Sequence, residues 1–184
     1  MKKLMVLFAA TLSICAAVTQ ADCSSKPIDE LKMVRTAMDD AQSQEASTYA
    51  SDDWNRARWD WEEANSLISM GRYSEARSVL VLAIGKFNKA RDTAGARLEA
   101  IKQEVAVLQS SVNLELNKLQ QAAETGNAKP ADKKRIDSAL PLIEEKISAM
   151  RAAVDDKNYL RARMAGNEAL RWLDDLQESM GIKR

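Results

Sequence analysis

Apolar residues along this chain recur at alternating steps of three and four, the spacing that lines one face of an α-helix. Leu31, Val34, Met38 and Ala41 make the first such stripe, after a polar spacer ending in Pro27, whose fixed φ suits a first helical turn. The stripe predicts a helix over 28–46. Trp54, Ala57, Trp61, Ala64 and Ile68 make the second. Ser51 is placed to cap it, Asp52 and Asp53 put negative charge on the positive end of the helix dipole, and Gly71 can end it in the left-handed conformation. A helix over 52–70 follows.

The third stripe is the longest: Tyr73, Ala76, Leu80, Ala83, Phe87, Ala90 and Ala94, continued by Leu98, Ile101, Val105, Leu108, Val112, Leu116, Leu119 and Ala123. Unbroken over 72–124, such a helix would be roughly 80 Å long at about 1.5 Å per residue. The step from Ala94 to Leu98 adds a four after a four, a stutter, and Gly95 beside it is the expected place for a bend. Gly126 and Asn127 suit a helix end and Pro130 suits the start of the next helix, which carries Ile136, Leu140, Ile143, Ile147, Met150 and Val154. Pro141 should kink this fourth helix without ending it, because the stripe continues across it. After a turn at Asp155 to Asn158, the fifth stripe runs through Tyr159, Ala162, Gly166, Ala169, Leu173, Leu176 and Met180.

The third and fifth stripes match each other. Tyr73, Ala76, Ala83 and Phe87 align with Tyr159, Ala162, Ala169 and Leu173 at a constant offset of 86 residues, and Ala64 and Ile68 align with Met150 and Val154. The expected fold is therefore all-α: antiparallel helical hairpins in a bundle of about five helices with a long central helix. Its two related three-helix units, residues 28–97 and 98–180, are fused through that helix. The seam from Ile101 to Val112 suits the core of the second unit, and the same spacing would also suit a coiled coil between two copies of the chain.

Composition agrees with helices. In 184 residues there are only 6 glycines and 3 prolines, with 46% hydrophobic and 29% charged positions. The N-terminus differs from the rest: Lys2 and Lys3, an apolar run from Leu4 to Val18 and small residues up to Ala21 read as a signal peptide over 1–21, followed by a spacer over 22–27. An uncleaved anchor helix is the competing reading. Removing Lys2 and Lys3 from a chain with equal numbers of acidic and basic residues leaves a net charge of about −2. A nearly neutral surface with mixed signs offers no electrostatic footprint for nucleic acid. Cys23 would be the sole mature thiol beyond Cys15 of the signal, so no intrachain disulfide is expected. It is either a lipidation site or a free thiol; Gln20, Ala21 and Asp22 before it do not form the usual Leu-small-small lipobox.

Gly71-Arg-Tyr73-Ser-Glu-Ala76, followed by Ala83, resembles the turn and second helix of a tetratricopeptide repeat, with helices longer than a standard repeat. Over about 28–94, the run of Ala37, Ala41, Ala46, Tyr49 and Ala50 leads to a helix with Ala57 and Ala64. Gly71, Tyr73, Ala76, Ala83, Ala90 and Ala94 complete a pattern that resembles the domain of unknown function 4398 family. Membership would imply a small helical protein of the bacterial envelope, often a lipoprotein, and an α-helical hairpin fold. It assigns no catalytic residue.

The chain has no histidine, the commonest general base and metal ligand at neutral pH. Acidic doublets such as Asp39-Asp40 and Glu144-Glu145 diverge by about 100° on a helix and suit solvated faces better than paired catalytic carboxylates. Gly85-Lys86 lacks the upstream glycine of a phosphate loop. No catalytic, cofactor-binding or metal-binding residue is expected, and no enzyme. Trp54 and Trp61 belong to an apolar stripe, whereas Trp59 points away among polar residues, with Arg56 and Glu63 as neighbours. Trp59 is either a binding anchor or packed against a further helix; Trp172 flanks its stripe and suits packing at the rim. The function expected is a non-enzymatic scaffold or adaptor of the periplasm or cell envelope, binding a protein partner. A periplasmic chaperone or carrier sheltering apolar ligands between helices is the alternative. Contact with the membrane would come only through a lipid on Cys23.

Overall fold

The structure, a computed structural model, describes residues 25–124 and 129–180, and all regular structure among them is helical. The segment expected to be a signal peptide, Cys23 and the helix end expected at Gly126 and Asn127 lie outside the described residues. Six helices follow one another: α1 (Ile28–Ser43), α2 (Ala46–Tyr49), α3 (Ser51–Ser69), α4 (Tyr73–Glu124), α5 (Pro130–Asp155) and α6 (Tyr159–Ser179). The fold is all-α with one long central helix.

Two details near the start differ from expectation. The first helix ends at Ser43, not near 46, because Glu45 takes a left-handed φ of 52° and redirects the chain into the single turn of α2. That redirection buries Ala46, Tyr49 and Ala50, which a straight continuation of α1 would not aim at the same core. Ser51 does not cap α3 either: Ala50 holds the cap position without a side-chain bond, and Ser51 is already the first helical residue. Asp52 and Asp53 do occupy the first turn. Downstream, α4 stays helical through Gly95 for 52 residues, about 78 Å of helix. Pro130 opens α5, which continues through Pro141.

Helix directions follow from the cross-links. Glu30 pairs with Arg77 near the starts of α1 and α4, and Gln44 lies beside Gly95 further along both, so α1 runs parallel to the first half of α4. Lys86 reaches Asp60 and Lys89 reaches Asp53, so α3 runs antiparallel between them in sequence. The second half repeats this plan. Arg163 pairs with Glu104 and Gln177 donates to Glu115, so α6 is parallel to the second half of α4, while Lys146 to Glu168 and Arg135 to the Ser179 carbonyl make α5 antiparallel to α6. Arg77 and Arg163 are themselves 86 residues apart. The last helix of the first unit and the first helix of the second are thus two halves of α4.

The two hairpin turns repeat atom for atom. Gly71 donates to the Ile68 carbonyl and Arg72 to that of Leu67; Lys157 donates to the Val154 carbonyl and Asn158 to that of Ala153. Both turns are Schellman caps, with the left-handed residue at the same place, Gly71 at φ 73° and Lys157 at φ 58°. Asn158 adds a side-chain bond to the Arg161 N–H.

Buried side chains fall into two clusters. The first gathers Val34, Ala57, Ala64, Leu80, Phe87 and Ala90 from α1, α3 and α4. The second gathers Leu108, Val112, Ile143, Met150, Leu173 and others from α4, α5 and α6. Ile101 packs against both. One layer differs between them by an exchange of volume. Leu80 of the first unit corresponds to Gly166 of the second, whose missing Cβ would lie 2.5 Å from Leu108 and 2.6 Å from Met150. Met150 in turn corresponds to Ala64, so the bulk comes from α4 in one unit and from α5 in the other.

Candidate functional site

Two carboxylates of α3 serve as struts to α4. Asp53 accepts from Lys89 at 2.9 Å and from Thr93 at 3.3 Å, and Asp60 accepts from Lys86 at 2.7 Å. The hydrogen bond from Lys89 holds the Asp53 carboxyl below its ordinary pKa, against the opposing effect of burial. Among the described residues no group of three or more His, Cys, Asp or Glu is arranged to hold a metal ion. No described helix is long and apolar enough to cross a membrane.

The tryptophans divide as their helical positions dictate. Trp54 packs its ring edge-on against Phe87 at 5.3 Å between centroids, and Trp61 is half-buried against the first core. Trp59 projects from the opposite side of α3 and is 77% exposed. It lines a shallow depression of about 410 Å³ together with Asn55, Arg56, Arg58 and Glu62. Arg58 and Glu62 join at 2.8 Å across one helical turn and close one side of it. Arg56 therefore stands with Trp59 as expected, whereas Glu63 is exposed on the helix but does not line the depression; Glu62 supplies the acid there. The i, i+3 and i+4 spacings from Trp59 are compatible with either carboxylate, and only the Arg58 pairing separates them.

A second concave surface runs between α5 and α6. Ala139, Leu142, Trp172 and Leu176 form its floor, Lys134 and Arg135 its edge, and it encloses about 610 Å³. Leu142 is 45% and Trp172 36% exposed. Trp172 is thus a wall of an open groove as well as a rim residue. Stripe position does not reveal this, because the groove depends on how far α5 and α6 splay. The internal repeat carries a signal that does: Trp172 stands 86 residues after Lys86, and an apolar ring in place of a charged strut is visible in the sequence.

The α4 seam, by contrast, is consumed internally. Val105, Leu108, Val112 and Leu119 are buried against α5 and α6. Comparisons with family models, with curated proteins and with solved structures give no match for this chain.

Proposed function

We propose that this chain is an exported helical scaffold of the bacterial envelope that binds a protein partner through the Trp59 face of α3 and performs no chemistry of its own. The observation that carries the reading is Trp59 itself. A large aromatic side chain 77% exposed on a helix, beside the positive Arg56 and the paired Arg58 and Glu62, buries little of its surface within the chain and costs solubility there. Tryptophan and arginine are the residues most often found at the energetic centre of protein interfaces.

Export rests on the N-terminal pattern of Lys2, Lys3 and the apolar run to Val18, and on the resemblance of 28–94 to helical envelope proteins. Lipidation of Cys23 would fix the protein to a membrane; without it the protein would be free in the periplasm. In-cell crosslinking followed by mass spectrometry tests partner and processing together. A crosslinked partner lost on Trp59→Ala, with circular dichroism unchanged, is the expected result. A partner recovered equally by the variant would end the assignment to this face, and an N-terminus retaining Met1 would end the assignment to a cleaved, exported form.

A further inference from the structure

The two hairpins share a fold, so their differences at matched positions isolate what one of them does beyond folding. In the α3–α4 hairpin the outer groove is closed by polar struts: Lys86 to Asp60 at 2.6 Å, and Lys89 to Asp53 at 2.9 Å with Thr93 alongside. In the α5–α6 hairpin Trp172 takes the place of Lys86, Ala139 that of Asp53 and Leu142 that of Arg56. The result is an apolar groove at positions where the α3–α4 hairpin carries charged struts; the strut of the second hairpin, Lys146 to Glu168, lies further along, outside the groove.

Its edge is positive. Lys134 and Arg135 line the groove, and no carboxylate does. Arg135 donates to the Ser179 carbonyl at 3.0 Å, which holds its guanidinium across the groove end. Among the described residues no ion pair engages Lys129, Lys133 or Lys134, and all three lie at the start of α5, where the helix dipole is itself positive. Asp132 in the same turn lies 3.9 Å from Arg135 and offsets part of this charge, but the three lysines remain as cations beside a positive helix end, and an incoming anion relieves that repulsion. The groove extends along α5 from Ala131 to Leu142, about 17 Å or three helical turns. Those dimensions suit a helix presenting apolar anchors at i, i+3 or i+4, and i+7.

We propose that the α5–α6 groove docks an acidic amphipathic helix of a partner protein, its apolar side on Leu142 and Trp172 and its carboxylates over Lys134 and Arg135. The concave, half-shielded setting of both apolar side chains suits a helix better than a flat membrane surface, which protruding side chains would engage. This site is separate from the Trp59 face and does not depend on it.

Two fluorescein-labelled peptides of about four helical turns, with leucine at the anchor spacing and either glutamate or lysine elsewhere, serve as probes in an anisotropy titration of the purified protein. The glutamate peptide is expected to bind at least about tenfold more tightly than the lysine peptide, and added salt should reduce the difference. Leu142→Glu should abolish binding and Lys134→Glu should reverse the peptide preference, both at exposed positions where circular dichroism should stay unchanged. Trp59→Ala should leave binding as it is, which separates this site from the one proposed above. The proposal is overturned if neither peptide binds, if both bind alike, or if Leu142→Glu and Lys134→Glu have no effect. It is equally overturned if phosphatidylglycerol vesicles bind in a Leu142-dependent way while the glutamate peptide does not, since the surface would then be a membrane contact.

Discussion

At the scale of single residues, Gly166 is the most closely packed of the described glycines. A methyl group there would press on Leu108 and Met150 at distances no packed carbon occupies, although alanine is by itself the better helix former by about 1 kcal/mol. Overpacking of this kind typically costs about 1–3 kcal/mol, so Gly166→Ala should lower stability by about 1 kcal/mol net in urea unfolding. Met150→Ala copies the first unit, where Ala64 stands at the matching position in the same cluster as Leu80, and should relieve the part of the clash that comes from Met150, leaving that with Leu108. Combined, the two substitutions should destabilise by less than the sum of their separate effects; strict additivity would show that the contact is not the cause. Asp53 makes a pH prediction. Its pKa is lower folded than unfolded, so its contribution is complete above the ordinary carboxylate range near about 3.9 and is lost as pH falls through the lower folded value. Asp53→Asn should therefore cost about 0.5–1 kcal/mol at pH 7, given that Lys89 is largely exposed, and the gap from the parent protein should close in acid. A gap independent of pH would assign the loss to packing.

At the scale of elements, the left-handed caps distinguish two turns that are otherwise alike. Gly71 adopts φ 73° without strain, while Lys157 holds φ 58° with a Cβ that disfavours it. Lys157→Gly should raise stability by about 0.5–1 kcal/mol and Gly71→Ala should lower it by about 1 kcal/mol, measured as shifts of opposite sign in the thermal midpoint. Equal signs would mean that the turns are not governed by their caps. Gly71 also shows what the sequence makes legible: a glycine after an amphipathic stripe announces its conformation, and every long helix was readable from its stripe to within a few residues. α2 was not, since four residues are too short for a period and Glu45 gives no sign of a left-handed φ. The cap expected at Ser51 failed for the same reason, because α2 delivers the chain to α3 already turned. The exposure of Trp59 and the place of Arg56 beside it were legible from the helical wheel. The groove at Trp172 was not legible from stripe position, because it arises between two helices; its sign in the sequence is the exchange of Lys86 for Trp172 across the internal repeat.

At the scale of the whole molecule, α4 belongs to both cores, and this determines how the protein should unfold. Leu80 to Ala94 serve the first cluster and Val105 to Leu119 the second, with Ile101 packed against both and Leu160 of α6 reaching back to the first. Around this junction Arg97 donates to the Tyr49 carbonyl at 2.9 Å and Lys102 lies 5.5 Å from the centre of the Tyr159 ring. Melting the second half of α4 and with it α6 would take Ile101 and Leu160 away from the first cluster, so loss of one core weakens the other through a continuous helix as well as through side chains. The tryptophans allow a direct test. In a Trp172→Phe background the remaining three all lie on α3, so fluorescence reports the first unit alone, while circular dichroism reports every helix. Leu173→Ala, a cavity in the second core, should cost about 2–5 kcal/mol and lower the urea midpoint equally by both signals. If the fluorescence midpoint stays where it was while circular dichroism splits into two steps, the two cores fold independently and α4 is a linker between them, not the shared element that couples them.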